Sequence, residues 1–244
     1  WAENPLILAI RASTGTSAAV TVALLGALDC LTPGRMARHE IALAAQRVET
    51  ELLGQQCGIQ DQLASAYGGI NFIDMDDYPH AIVQPIHLPT PLEWELESRL
   101  ALVYLGGAHS SSAVHELVIR ELEAAGPECR QLADLRVTAG KSRAALLSGD
   151  FAAFGAAMQE NTTAQQHLHP ALVSPAAEQI IEVARAHGAL GWKVNGAGGQ
   201  GGSLTLLGSE SAQARRAMLR EIEAEDPLFR HIPIHLDRDG LRVW

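Results

Sequence analysis

Asp61 lies in the stretch CGIQDQLASAYGGINFI, Cys57 to Ile73, between Gln60 and Gln62 and ahead of Gly68-Gly69. A carboxylate at the start of a short helix has two readings. It is an N-cap, or it is a group aimed at a reacting hydroxyl. The capping-box partner is absent, since Ala64 stands three residues later. Upstream, on a preceding helical segment, lie Glu49 and Glu51. Each is either part of a solvated helix face or a metal ligand. One carboxylate on a metal and a second beside a hydroxyl is the set that magnesium-dependent phosphoryl transfer requires. The sequence permits that pairing.

Two loops could hold phosphate. In STGTSAAVTVALL, beginning at Ser13, small residues lead into a helix N-terminus, where free N–H groups and the helix dipole attract anions. Ser17 stands where its hydroxyl could reach a magnesium ion, much as the P-loop Ser/Thr does, although no G-K-[ST] is present. The competing reading is an ordinary capped helix. In KVNGAGGQGGSLTLL, beginning at Lys193, Gly196, Gly198 and Gly201 match G-x-G-x-x-G. A strand rather than a helix comes next, which argues against a dinucleotide fold. So many glycines instead imply close backbone approach or repeated positive φ. His109-Ser110-Ser111-Ser112, after Gly106-Gly107, reads as a second anion site or a polar cap. His167-Leu168-His169 has no further ligands at zinc spacing.

The elements that must position these residues are mixed. Helical patterns are expected over Pro5–Ala12, Ala18–Cys30, Arg38–Leu53, Gln60–Tyr67, Ser111–Ala125, Gln131–Leu147, Asp150–Gln166, Ala176–His187 and Ser211–Ala224. Ala18–Cys30 is apolar on nearly every face and predicts a buried helix. Strands are expected at Ile70–Ile73, Glu97–Leu105, Trp192–Val194 and Ser203–Leu207. Asp74–Thr90, with three prolines, reads as irregular, and a hairpin is expected to close the chain, Ile232–Leu236 against Leu241–Trp244. The class is α/β or α+β. With 244 residues, 47% of them hydrophobic, the chain can bury a real core. A net charge of −10 argues against nucleic acid and anionic membranes as partners. Three scattered cysteines fit free thiols in a reducing compartment. No run is long enough to span a bilayer and no signal peptide is visible, so the cytoplasm is expected. A homodimer fits the base rate for such proteins.

In order and spacing, the three segments resemble the GHMP kinases, the superfamily of galactokinase, homoserine kinase, mevalonate kinase and phosphomevalonate kinase. STGTSAAV is similar to the family's phosphate loop, CGIQDQLASAYGGINFI to its G-x-x-D-Q segment, and KVNGAGGQGGSLTLL to its third motif. LVYLGGAHSSSAVH and the ending DGLRVW look like the branch of bacterial D-glycero-D-manno-heptose 7-phosphate kinases and related sugar kinases.

The resemblance implies a two-lobed α+β fold. Residues 1–92 would be an N-terminal, S5-domain-2-like ATP-binding lobe, incomplete at its start, and residues 93–244 a ferredoxin-like C-terminal lobe. It implies ATP and Mg²⁺, with a sugar or sugar phosphate, foremost a heptose 7-phosphate, as acceptor. Ser13, Thr14, Gly15, Thr16 and Ser17 would cradle the triphosphate. Ser17 and Glu49 would hold Mg²⁺, and Asp61 would face the attacking hydroxyl. Gly198 and Gly199 would support the phosphate loop and the substrate end, with His109 and Ser110 beside the substrate. The departures are Arg11-Ala12-Ser13-Thr14 in place of a proline and glycines, Gln200 for a glycine, His109 for an arginine, and no first motif. Residues are therefore expected to be missing before Trp1 and near Ser13-Thr14. Another GHMP substrate, or a non-catalytic relative, is the alternative.

Overall fold

The computed structural model describes residues 15–106, 118–120, 122, 129–196 and 201–243. The expected helices at Pro5–Ala12 and over most of Ser111–Ala125 lie outside them, as does the junction at Ser13-Thr14. The chain divides into two compact units, one of Gly15–His87 with the segment from Leu236 onward, the other of Leu88–His235. The division thus falls between His87 and Leu88 rather than at 92, and the last segment belongs with the first unit.

In the first unit, helix α1 (Thr16–Asp29) is followed by α2 (Arg38–Arg47), which runs into a π-helical turn, Val48–Leu52. Helix α3 (Gln60–Tyr67) then leads to an antiparallel hairpin of β1 (Ile70–Asp77) and β2 (His80–Ile86). Val22, Ile41, Ala42, Ala45, Ile59, Leu63 and Ala66 form the core that joins the three helices. Two expectations are corrected here. The stretch read as irregular is the hairpin itself: Pro79 sits in its turn and Pro85 pairs with Asn71 on β2, which has no second partner among the described residues and so tolerates a missing N–H. Helix α1 is not buried all round. It packs through Ala18, Val22 and Gly26, while Val20, Leu24 and Leu28 stay exposed, because its neighbours α2 and α3 cover one face only.

In the second unit, α4 (Thr90–Arg99) precedes β3 (Leu100–Tyr104), so the expected strand from Glu97 begins three residues later. Pro89 before the helix and Pro91 in its first turn favour that start. Two long helices come next, α5 (Arg130–Ser148) and α6 (Phe151–Leu168), the second capped by Asp150, whose carboxylate accepts from Ala153 N. Then come α7 (Pro175–Ala186), β4 (Gly191–Val194), β5 (Ser203–Leu207), α8 (Ala212–Glu225) and β6 (Arg230–Ile232). The sheet is antiparallel in the order β4-β5-β3-β6. In chain order this is the split β-α-β pattern of a ferredoxin-like unit, and its core joins Val103, Leu204 and Leu206 to Ile180, Met218 and Ile222.

The expected closing hairpin does not form. β6 ends at Ile232 and adds to the edge of β3, and Leu241 N–H instead donates to Ala66 O. Among the described residues no helix is long and apolar enough to cross a membrane.

Candidate active site

Gly15 starts the site. It takes a left-handed φ of 69° as the N-cap of α1 and has no side chain to cap the first turn, which also carries no acidic residue. A helix start with neither a capping side chain nor an acid is suited to an anion. A Cβ on Gly15 would stand 3.0 Å from Asp61 Cγ. Glycine is needed both for the backbone angle and for room beside the carboxylate.

Ser17, in the first turn of α1, donates to Glu49 Oε1 at 2.5 Å. Glu49 sits in the π-helical turn that closes α2, and only 3% of it is exposed. Glu49 follows Ala45 and Gln46 by four and three residues, so it continues the inward face of α2. Glu49 is turned inward, while Glu51 stays outside and pairs with Arg47 at 3.1 Å. The residue types alone left both glutamates open, and Glu49, the one the resemblance favoured, is the buried one. Glu49 Oε2 accepts from the Gln62 side-chain amide and from the Cys57 thiol, the latter at 3.6 Å. All its donors are neutral. Among the described residues neither Glu49 nor Asp61 has a cationic partner.

Asp61 occupies the first turn of α3, and Ile59 is its N-cap position, so the cap reading of Asp61 is set aside. Desolvation raises the Asp61 carboxyl above the ordinary carboxylate range, and the nearby Glu49 charge pushes the same way. Cys57 is pushed up to about 11, first by burial and then by Glu49, so its thiol stays protonated and donates.

A buried carboxylate without a cation is costly unless something positive joins it. The pair of Ser17 hydroxyl and Glu49 carboxylate fits a divalent ion. No cluster of three or more His, Cys, Asp or Glu side chains is placed to hold a metal among the described residues. A Mg²⁺ ion held there would draw its remaining ligands from substrate phosphates and water.

The third motif lies in the second unit. Lys193 Nζ donates to Gln165 Oε1 at 2.7 Å, and Gln165 Nε2 donates to Gly196 O at 3.2 Å. Across the base of the loop, Asn195 donates to Ser203 Oγ at 2.9 Å and accepts from Thr205 Oγ1 at 3.0 Å. Burial lowers Lys193 to about 8. Ser13, Thr14, His109, Ser110, Gly198 and Gly199 lie outside the described residues. Sequence reasoning brought Ser17, Glu49 and Asp61 forward, and the structure draws them together around Gly15. It missed Gln62 and Cys57, whose only signal was that Gln62 shares the inward face of α3 with Leu63 and Ala66.

Residues 9–69 match the family description "GHMP kinases N terminal domain", and residues 142–224 match "GHMP kinases C terminal". The chain belongs to the GHMP kinases. It is 27% identical over 168 residues to the D-glycero-alpha-D-manno-heptose 7-phosphate kinase of Campylobacter jejuni, covering 68% of this chain and 49% of that protein. To the mevalonate kinase of Pyrococcus abyssi it is 26% identical over 241 residues, covering 96% of this chain and 65% of that one. In fold it is similar to the crystal structure of a D-glycero-D-manno-heptose 1-phosphate kinase from Bacteroides thetaiotaomicron, with a TM-score of 0.69 at 22% identity, over 96% of this chain and 65% of that chain. The chain therefore spans about half to two thirds of the length of these GHMP kinases.

Proposed function

We propose that this GHMP kinase chain transfers the γ-phosphoryl group of ATP to a hydroxyl of a sugar phosphate, foremost a heptose 7-phosphate. The observation that carries the reading is the convergence of Ser17, Glu49 and Asp61 on Gly15, two acids without a cationic side chain paired to either among the described residues. The α1 N-terminus would bind the triphosphate through its backbone N–H groups. Mg²⁺, held by Ser17 and Glu49, would neutralise charge on the β- and γ-phosphates. Gln62 and Cys57 would keep Glu49 oriented toward that ion.

Asp61 would orient the acceptor hydroxyl and take its proton late. Its raised pKa makes it a better base than an ordinary carboxylate, though still weak toward an alcohol in the ground state. Late transfer suffices where the transition state is loose and the nucleophile needs little early activation. The free thiols of Cys30, Cys57 and Cys129 support a reducing, cytoplasmic setting.

A mevalonate-type acceptor is the second reading, supported by the match to the archaeal mevalonate kinase, which extends over 96% of the chain. An ADP-release assay with ATP, Mg²⁺ and a panel of heptose phosphates, hexoses and mevalonate separates the two. Turnover confined to sugar phosphates is the expected outcome. Turnover of mevalonate alone would transfer the assignment, and no turnover with any acceptor would favour a non-catalytic relative.

A further inference from the structure

Asp237 to Leu241 enters none of the chemistry above, yet it is tightly built into the first unit. Gly240 takes a φ of +62°, and a Cβ there would lie 2.4 Å from Gly68 N and 2.5 Å from Tyr67 C. Gly68, at φ +66°, would in turn bring a Cβ within 2.1 Å of Gly240 N. Two glycine backbones thus touch at the C-terminal end of α3, where no side chain fits on either. Gly69 N–H donates to Asp237 O at 2.6 Å, and Leu241 N–H donates to Ala66 O at 3.1 Å. Ala66 O is one of the last carbonyls of α3, which have no donor within the helix. The Leu241 side chain meanwhile fills a notch in α1: a Cβ on Gly26 would lie 2.8 Å from both of its Cδ atoms. Leu241 therefore holds α3 by its backbone and α1 by its side chain.

From these contacts we infer that Asp237–Leu241 is a positioning strap, which fixes the Asp61 helix against the phosphate-loop helix. The inference rests on the kinase reading for its effect on turnover, but not for its effect on order. Helix α3 has only 8 residues. A helix that short does not hold itself in water and takes its place from tertiary anchors. Released at its C-terminal end, it would let Asp61 drift at the other, and a misplacement of roughly 1 Å costs up to about a hundredfold in rate. The ion pair of Arg242 with Asp239, at 2.9 Å, braces the strap only weakly because both groups are half exposed.

The test compares Leu241→Ala, Gly240→Ala and the conservative Leu241→Met with Ile41→Ala, which empties the same core from α2. Steady-state kinetics and amide hydrogen exchange over residues 60–67 are the readouts. Leu241→Ala and Gly240→Ala are expected to lower kcat about tenfold or more, with KM for ATP changed by less than about threefold. Exchange across α3 should quicken, Leu241→Met should restore both, and Ile41→Ala should keep kcat at an equal loss in Tm. Unchanged exchange across α3, or a kcat loss that merely tracks Tm in all variants, overturns the strap. If the unmodified protein phosphorylates no acceptor, the kinase reading fails, while exchange across α3 still decides the strap.

Discussion

Replacing Asp61 by asparagine separates chemistry from architecture. The two side chains are nearly isosteric, so the contact with Gly15 survives and α3 keeps its place. What is lost is a proton acceptor beside the acceptor hydroxyl. General-base groups contribute about 10²–10⁴ in rate, or ~3–5 kcal/mol of barrier, and kcat should fall by that much. ATP affinity should hold or tighten, because a negative charge next to the triphosphate site is removed. Stability should move the other way. The native Asp61 carboxyl titrates above its ordinary value of 3.8, first from burial and then from Glu49. The native state therefore holds this proton more tightly than the unfolded chain, and stability falls as pH rises between the ordinary and the native value. The side chain is exposed, so solvent screens much of that penalty, and Asp61→Asn relieves what remains. The assays are ADP release, calorimetric ATP titration, and Tm for both proteins from pH 3.5 to 8. The variant should melt higher at pH 7, and the gap should close toward pH 3.5. Turnover within a few-fold of the unmodified enzyme would refute the base-or-positioning role. A variant that melts lower at pH 7 would refute the account of the carboxyl's surroundings.

Glu49→Gln removes the one charge that Ser17, Cys57 and Gln62 surround, and should raise the Mg²⁺ needed for half-maximal turnover by about 10–100-fold; an unchanged Mg²⁺ titration would return Glu49 to a structural role. Gly15→Ala forces a side chain into a left-handed backbone at a cost of about 1–2 kcal/mol, and presses on Asp61 besides. Urea unfolding should show the loss and kinetics a fall in kcat. Lys193→Met removes a buried amine that titrates at about 8 in place of 10.5. The unfolded chain keeps this proton between those values and the native state does not, so the unmodified protein should gain stability on the variant as pH rises from 8 to 10. Parallel Tm curves across that range would contradict it.

Much of this protein was legible in its residues. Helix periodicity located α5 to α8, because that signal is local. Three short motifs in order carried the resemblance to the GHMP kinases, which the family matches bear out. The hairpin at Ile70–Ile86 was hidden by its prolines, whose tolerance depends on β2 standing at an edge.

The resemblance favoured Glu49 over Glu51, but the burial of Glu49 shows only in the fold, where it continues the inward face of α2. Nor could Gln62 be seen as the partner of Glu49, or Asp237–Leu241 as the brace of α3. Those contacts join residues far apart in the chain. Sequence by itself determined which groups are available: small residues at a helix start, carboxylates and a run of glycines. Only the tertiary structure decided which carboxylate is buried, what donates to it, and what holds Asp61 in place, because burial and long-range packing exist only once the chain has closed on itself.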